Sequence, residues 1–325
     1  MDILFLGTSA GVPTRARNVT ATAIRKRNAK TWVLVDCGEG TQQRVLRTSL
    51  SLNRLDAILI THVHGDHCYG LPGLLSSASM MGRETPLTIV GPQPIRAFLE
   101  AVQATTGLHL TFPIEFVDVE RLPADFRTSD FAVEASALSH GVASHGYALV
   151  ERGIQRKLDT RRLEALGVAR GPAWGRLHRG EDILLEDGTR VTSDEVLLPA
   201  RGARKVVIAG DNDTPKLLEG LCAGADVLVH EATYTREIVD RLGTDNGHST
   251  AEAVAAFARD IGLPNLVLTH FSPRYQHDRG VTPSIADIER EARDHYRGTL
   301  WLANDFDVYR LSRDGRLCHA GPTRS

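Results

Sequence analysis

The chain has 325 residues, 24% of them charged, and a formal charge of -2. That length admits one large α/β domain with an insertion as readily as two domains, the composition excludes a disordered chain, and the charge excludes a globally basic nucleic-acid binder while permitting a local basic face. Cys37, Cys68, Cys222 and Cys318 form no CxxC pair, Met1–Gly7 lacks the basic lead of a signal peptide, and no run reaches the roughly 20 apolar residues of a membrane span, so a reduced, cytoplasmic protein is expected.

In chain order, short apolar runs predict strands over 3–6, 32–35, 57–60, 87–90, 205–209, 227–229, 266–268 and 300–303. Helical patterns lie at 93–105, 250–261 and 283–296, the second opening on a Ser-Thr cap with Glu252. This alternation predicts a layered α/β architecture. A polar, ligand-type residue follows strand after strand: Asp36, His62, Asp211, His230 and His270. Loops at the carboxyl ends of strands converge on one cleft in such sheets, so a site assembled from remote segments is expected. The tail from Arg313 to Ser325 is expected to be loosely ordered.

Residues 151–203 break the pattern. Between Glu151 and Gly180 eight basic residues face three acidic ones, a local charge of +5 that leaves -7 for everything else. A positive insertion on an acidic body suits a polyanion, because phosphate contacts supply most sequence-independent affinity. Gly171-Pro172-Ala173-Trp174-Gly175 within it predicts an irregular, projecting tip.

The densest chemistry is Thr61-His62-Val63-His64-Gly65-Asp66-His67. Imidazole and carboxylate are the ligands of zinc and similar divalent ions. In an extended segment His62 and His64 point to one side, and Gly65 permits a tight turn that brings Asp66 and His67 to a neighbouring point, as two metals require. Four ligands do not saturate two ions. His140 and His270 at strand ends, and Asp211 with two oxygens able to bridge, complete the expected set. Cys68 is the one thiol near these donors, and His230 is expected to support the site rather than bind metal.

Further segments make the chain resemble the ribonuclease Z family, tRNA 3'-processing endonucleases of the metallo-β-lactamase superfamily. They are Gly7–Arg15 with Arg17-Asn18, Asp36–Gln42, His230-Glu231-Ala232-Thr233, Gly247–Thr250, Thr269–Tyr275 and Ala303-Asn304-Asp305. The resemblance implies a metallo-β-lactamase fold over 1–325, an αββα four-layer sandwich, with residues 152–203 as an inserted flexible arm that grips tRNA. It implies two Zn2+ per subunit, with Mn2+ or Co2+ as possible substitutes: His62, His64 and His140 on one ion, Asp66, His67 and His270 on the other, and Asp211 bridging. It also implies a homodimer whose arm serves the other subunit's site, with precursor tRNA as partner and neither DNA nor a membrane. The one departure is Asn212, where relatives more often carry threonine.

The implied reaction is removal of the 3' trailer near the discriminator nucleotide, leaving a 3'-hydroxyl on the tRNA and a 5'-phosphate on the trailer. Asp66 is expected to share the proton of the attacking water. Glu231 and His248 are expected to form a relay that protonates the leaving oxygen, because a carboxylate-oriented imidazole is a suitable general acid. Asp36 is expected to orient His64 or another ligand. Arg161, Arg162, Arg170, Gly171, Pro172 and Arg176 on the arm, with Arg274 and Tyr275 beyond His270, are expected to contact RNA. His109, His145, His178, His277, His295 and His319 are assigned to surface or packing. A two-zinc hydrolase of another phosphodiester, ester or lactam is the alternative.

Overall fold

The computed structural model describes residues 1–243, 247–278 and 280–323, which form two compact units, Met1–Val150 with Arg204–Ser325, and Glu151–Ala203. The larger unit holds two sheets. The first runs, edge to edge, through Leu317–Pro322, Asp307–Leu311, Asp2–Gly7, Ala21–Arg25, Trp32–Val35, Leu55–Leu59, Leu87–Gly91 and Ile114–Asp118. The second runs through Thr299–Leu302, Asn265–Thr269, Val227–Glu231, Lys205–Ile208, Ser144–Glu151 and Phe131–Leu138. In each sheet four consecutive strands are parallel: from Trp32–Val35 to Ile114–Asp118 in the first, and from Thr299–Leu302 to Lys205–Ile208 in the second.

The apolar alternation sorts these strands into layers. Phe5, Val33, Val35 and Leu59 of the first sheet pack against Tyr147, Leu149, Val206, Ile208, Val229 and Val267 of the second. Side chains one position along point the other way, as period two demands. Leu34, Ile58 and Ile89 meet Leu71, Leu75, Ile95 and Leu99 of the helices Leu71–Met80 and Gln93–Thr106. Val207, Leu228 and Leu266 meet Val254, Ala258, Ile288 and Ala292 of the helices Ala251–Asp260 and Ile285–His295. The result is the αββα four-layer sandwich. All eight predicted strands are present within one or two residues of their expected ends; most are buried on both faces and so read as unbroken apolar runs, while Thr299–Leu302 is a half-buried sheet edge.

Five further strands of the larger unit escaped the sequence reading, Ala21–Arg25, Ile114–Asp118, Ser144–Glu151, Asp307–Leu311 and Leu317–Pro322, and of Phe131–Leu138 only the end before His140 was expected. Ile114–Asp118 and Leu317–Pro322 are sheet edges, Phe131–Leu138 alternates with polar positions, and Ser144–Glu151 opens on Ser-His-Gly. The last strand corrects the expectation of a loose tail: Leu317 is buried, and Tyr309, Arg310 and Leu311 pair with His319, Cys318 and Leu317; residues 324 and 325 lie outside the described residues. No helix among the described residues is long and apolar enough to cross a membrane.

Glu151–Ala203 has its own small core of Leu163, Val168, Leu177, Ile183, Val191 and Val196. Its first helix, Thr160–Ala165, is capped by the Asp159 side chain, which accepts from the Arg162 amide. The expected irregular tip is instead a helix, Pro172–His178. Proline is tolerated in the first helical turn, where its missing N–H has no partner to lose, and the Trp174 indole anchors the turn by donating to the Val168 carbonyl at 3.0 Å. The charge reading also changes over the whole unit. Residues 181–203 add two basic and six acidic residues, so ten cations face nine anions and the net is +1.

Candidate metal centre

Every expected donor stands at the carboxyl end of a strand or in the turn beyond it. His62 lies past Leu55–Leu59, His140 past Phe131–Leu138, Asp211 past Lys205–Ile208 and His270 past Asn265–Thr269; Asp66 and His67 ride on the short helix Gly65–Cys68. Gly65 is not in left-handed backbone, so the turn does not depend on glycine there, and the exposed Tyr69 ring would have to move aside for a side chain. A Cβ there would sit 2.2 Å from the Tyr69 ring, and one at Gly38 would sit 2.2 Å from the Asp66 carbonyl oxygen. His270 and Asp36 both adopt left-handed backbone, φ 55° and 60°, a conformation costing roughly 1–3 kcal/mol that persists where its surroundings over-determine it.

The donors fall into two groups that share one carboxylate. His62 Nε2 and His140 Nε2 lie 3.6 and 3.7 Å from Asp211 Oδ2, and His140 Nε2 lies 3.1 Å from His64 Nδ1. On the other side His67 Nε2 and His270 Nε2 each lie 3.4 Å from Asp211 Oδ1, 3.2 Å from one another, and 3.5 and 3.3 Å from Asp66 Oδ2. One oxygen of Asp211 thus faces each group, and the donor atoms of each group lie within 4.8 Å of one another.

These residues fit a pair of metal ions. Tetrahedral bonds of about 2.0–2.1 Å put neighbouring ligand atoms roughly 3.4 Å apart, and the separations above bracket that value. Nε2 of His62 is buried without a hydrogen-bond partner, an arrangement that leaves a donor lone pair for a cation. Burial and the neighbouring His67 push the His62 imidazole down to about 2, so it stands neutral, the form that binds metal. Burial alone would raise the carboxyls of Asp66 and Asp211, but the surrounding histidines hold both well below the usual range. The far nitrogens are tied back. His67 Nδ1 meets Asp36 Oδ2 at 2.8 Å, His140 Nδ1 meets the Gly247 carbonyl at 2.6 Å, and His62 Nδ1 and His270 Nδ1 meet the hydroxyls of Thr61 and Thr233 at 3.0 and 3.1 Å. Such partners orient a ligating imidazole and select its tautomer. Asp36 therefore orients His67 rather than His64.

Glu231 and His248 adjoin this centre. His248 Nδ1 lies 3.0 Å from Glu231 Oε2 and 3.8 Å from Asp211 Oδ2. Burial depresses this imidazole, yet the Glu231 charge and hydrogen bond, with Asp211 and Asp66, prevail and raise it to about 9. His230 is buried and joins no donor group; its Nδ1 faces the Glu231 carbonyl at 2.8 Å and its Nε2 faces Asn212 Nδ2 at 3.3 Å. Asn212 fills its position fully buried, its amide donating to Glu231 Oε1 at 2.7 Å and its carbonyl accepting from Ser249. Cys68 is buried with its thiol toward the Val63 carbonyl and is no donor here.

Two expectations change, at Tyr275 and on the inserted unit, and one is sharpened, at His145. Tyr275 is buried in the core, its hydroxyl accepting from the Thr235 amide at 2.6 Å, so it is not a surface for RNA, whereas Arg274 is exposed. On the inserted unit Arg176 pairs with Glu181 at 3.2 Å, and Arg170 approaches Glu164 at 3.8 Å and stacks on Trp174; Arg161 and Arg162 are exposed and enter no ion pair among the described residues. His145, assigned to surface or packing, is buried, and both its backbone amide and Nδ1 face the carbonyl of Thr61, one residue before His62. Sequence spacing carries no signal for that contact, since 84 positions separate the two.

The metallo-beta-lactamase superfamily profile matches residues 14–150. The chain is 48% identical over 317 residues to ribonuclease Z of Marinobacter nauticus, covering 98% of both chains, and 50% identical over 317 residues to that of Pseudomonas putida, covering 98% of this chain and 99% of the relative. Among solved structures, human tRNase Z, short form, superposes with a TM-score of 0.65 at 28% identity, with 96% of this chain and all of that one covered. With its sandwich, its paired donor groups and relatives matched nearly end to end, the chain belongs to the ribonuclease Z family.

Proposed function

We propose that this chain is a metal-dependent endoribonuclease that removes the 3' trailer from precursor tRNA near the discriminator nucleotide, leaving a 3'-hydroxyl on the tRNA and a 5'-phosphate on the trailer. The observation that carries the reading is Asp211 turning one oxygen to each donor group, with the Glu231–His248 pair alongside, in a chain half identical to proteins named ribonuclease Z. His62, His64 and His140 would hold one zinc ion, Asp66, His67 and His270 the other, and Asp211 both. Bound together, two such ions lower the pKa of water toward 7 and neutralise phosphate oxygens.

The chain's own residues supply the rest. Asp66 keeps one oxygen on the Gly11 amide at 2.7 Å, which fixes the carboxylate beside the place where an attacking water loses its proton. Glu231 accepts from His248 Nδ1, leaving Nε2 to protonate the departing 3' oxygen, whose pKa makes it a poor leaving group without a proton. Residues 151–203 bind the body of the tRNA chiefly through Arg161 and Arg162. A homodimer in the cytoplasm completes the reading.

The test is cleavage of a 3'-extended precursor tRNA by zinc-loaded protein, with product ends mapped and Asp211→Ala beside it. A cut near the discriminator by the wild type alone, with zinc lost from the variant, is expected. Hydrolysis of a small phosphodiester without any cut in tRNA would refute the substrate.

A further inference from the structure

Thr233 is buried two residues beyond Glu231, and its hydroxyl sits between the two functional halves of the site. Its Oγ1 lies 3.1 Å from His270 Nδ1 and 2.9 Å from the His270 carbonyl oxygen, and makes a short hydrogen bond to Glu231 Oε2. A hydroxyl carries one proton and two lone pairs. Because His270 turns Nε2 toward Asp66 and Asp211, its proton resides on Nδ1 and is donated to Oγ1. The hydroxyl proton then goes to the carboxylate, the charged and nearer of its two acceptors. Glu231 receives two more donors, the Asn212 amide at 2.7 Å and His248 Nδ1 at 3.0 Å. An unbroken hydrogen-bonded row thus runs from His270 through Thr233 and Glu231 to His248.

The backbone reinforces this row. The Ala232 amide donates to the Thr269 carbonyl at 2.9 Å and the Ser272 amide to the Thr233 carbonyl at 3.3 Å, lacing both segments around the left-handed His270. Threonine's β-branch leaves χ1 few choices, so the hydroxyl is held in place rather than recruited on demand.

We infer that Thr233 is a positioning residue that couples His270 to His248: its hydroxyl sets the tautomer and direction of the His270 ring at one end and the angle of Glu231, and through it of His248, at the other. The inference rests on the ribonuclease reading of this site.

Thr233→Val removes the hydroxyl and keeps the shape, while Thr233→Ser keeps the hydroxyl. Zinc affinity is read by competition with a chromophoric chelator, and kcat and KM are read on precursor tRNA and on bis(p-nitrophenyl) phosphate, whose leaving group needs no proton. Thr233→Val is expected to weaken zinc binding about 10- to 100-fold. At saturating zinc it is expected to lower kcat on precursor tRNA about 100-fold with KM nearly unchanged, and kcat on the diester at least about tenfold less severely, with Thr233→Ser within about threefold of wild type throughout. Unchanged zinc affinity and kcat in Thr233→Val would overturn the inference, as would equal losses on both substrates that serine does not restore. If Thr233→Val does not fold, Thr233→Ser decides: wild-type zinc affinity and substrate ratio support the role of the hydroxyl, and their loss refutes it. A wild-type protein that hydrolyses only the diester would refute the ribonuclease reading, while the zinc measurement would still decide the His270 end.

Discussion

Asp36 accepts a 2.8 Å hydrogen bond from Nδ1 of His67, and the same carboxylate accepts from the amide and hydroxyl of Thr61 at 2.8 and 2.9 Å. One side chain at the end of Trp32–Val35 therefore fixes both the ring of His67 and the segment that delivers His62. Asp36→Asn offers an NH2 where one of these donors needs an acceptor. Zinc affinity in a chelator competition should fall about 10- to 100-fold, and adding zinc to metal-free wild type should raise its Tm in a concentration-dependent way, because a ligand that binds only the folded state stabilises it.

His248→Ala tests the proposed proton donor apart from the metal. Cleavage of precursor tRNA should slow by about 10²- to 10⁴-fold while zinc content stays at the wild-type level, and hydrolysis of bis(p-nitrophenyl) phosphate should be largely spared. Normal tRNA turnover in this variant would remove His248 from the mechanism.

The ion pairs of the inserted unit divide its arginines. Replacing Arg161 and Arg162 together with glutamine should weaken tRNA binding and reduce the slope of log K against log salt by about one for each phosphate left without its arginine. The same exchange at Arg170 and Arg176, which already face Glu164 and Glu181, should change the slope less. Binding titrations at several salt concentrations decide this, and equal slopes for the two double variants would contradict it.

Thiol chemistry reports on the core. Burial pushes the thiols of Cys68 and Cys222 up to about 12 and that of Cys37 higher still, while Cys318 is exposed on an edge strand. The thiolate is the reactive form, so a disulfide reagent at pH 8 should label one thiol per folded chain, and none in Cys318→Ser. Labelling of two or more before unfolding would show that the sandwich opens.

Much of the centre was legible because its ligands sit where apolar runs stop. Val206-Val207-Ile208 before Asp211 and Leu266-Val267-Leu268 before His270 are strands covered on both faces, and a run without polar breaks announces both the strand and its end. The hydroxyls of Thr61 and Thr233 were hidden, since a threonine reads the same in sequence whether it tethers a ring or merely fills space, and Thr233 meets a ring 37 positions away. Tyr275 misled for a related reason. Proximity to His270 in sequence suggested the cleft, but the chain turns through the exposed Pro273 and Arg274 and the Tyr275 ring joins the core. The inserted unit was misread where a charge count stopped at Gly180, short of the acids that fold back on it.

The inserted unit leaves the sandwich and rejoins it at neighbouring points, for Val150 and Lys205 are register partners on adjacent antiparallel strands. A hairpin connection tolerates nearly any length, since each doubling of a flexible loop costs only about 0.6 kcal/mol more to close. Such an appendage is separable from the sandwich: it can be lengthened, shortened or exchanged without re-registering a single strand that carries the donor residues.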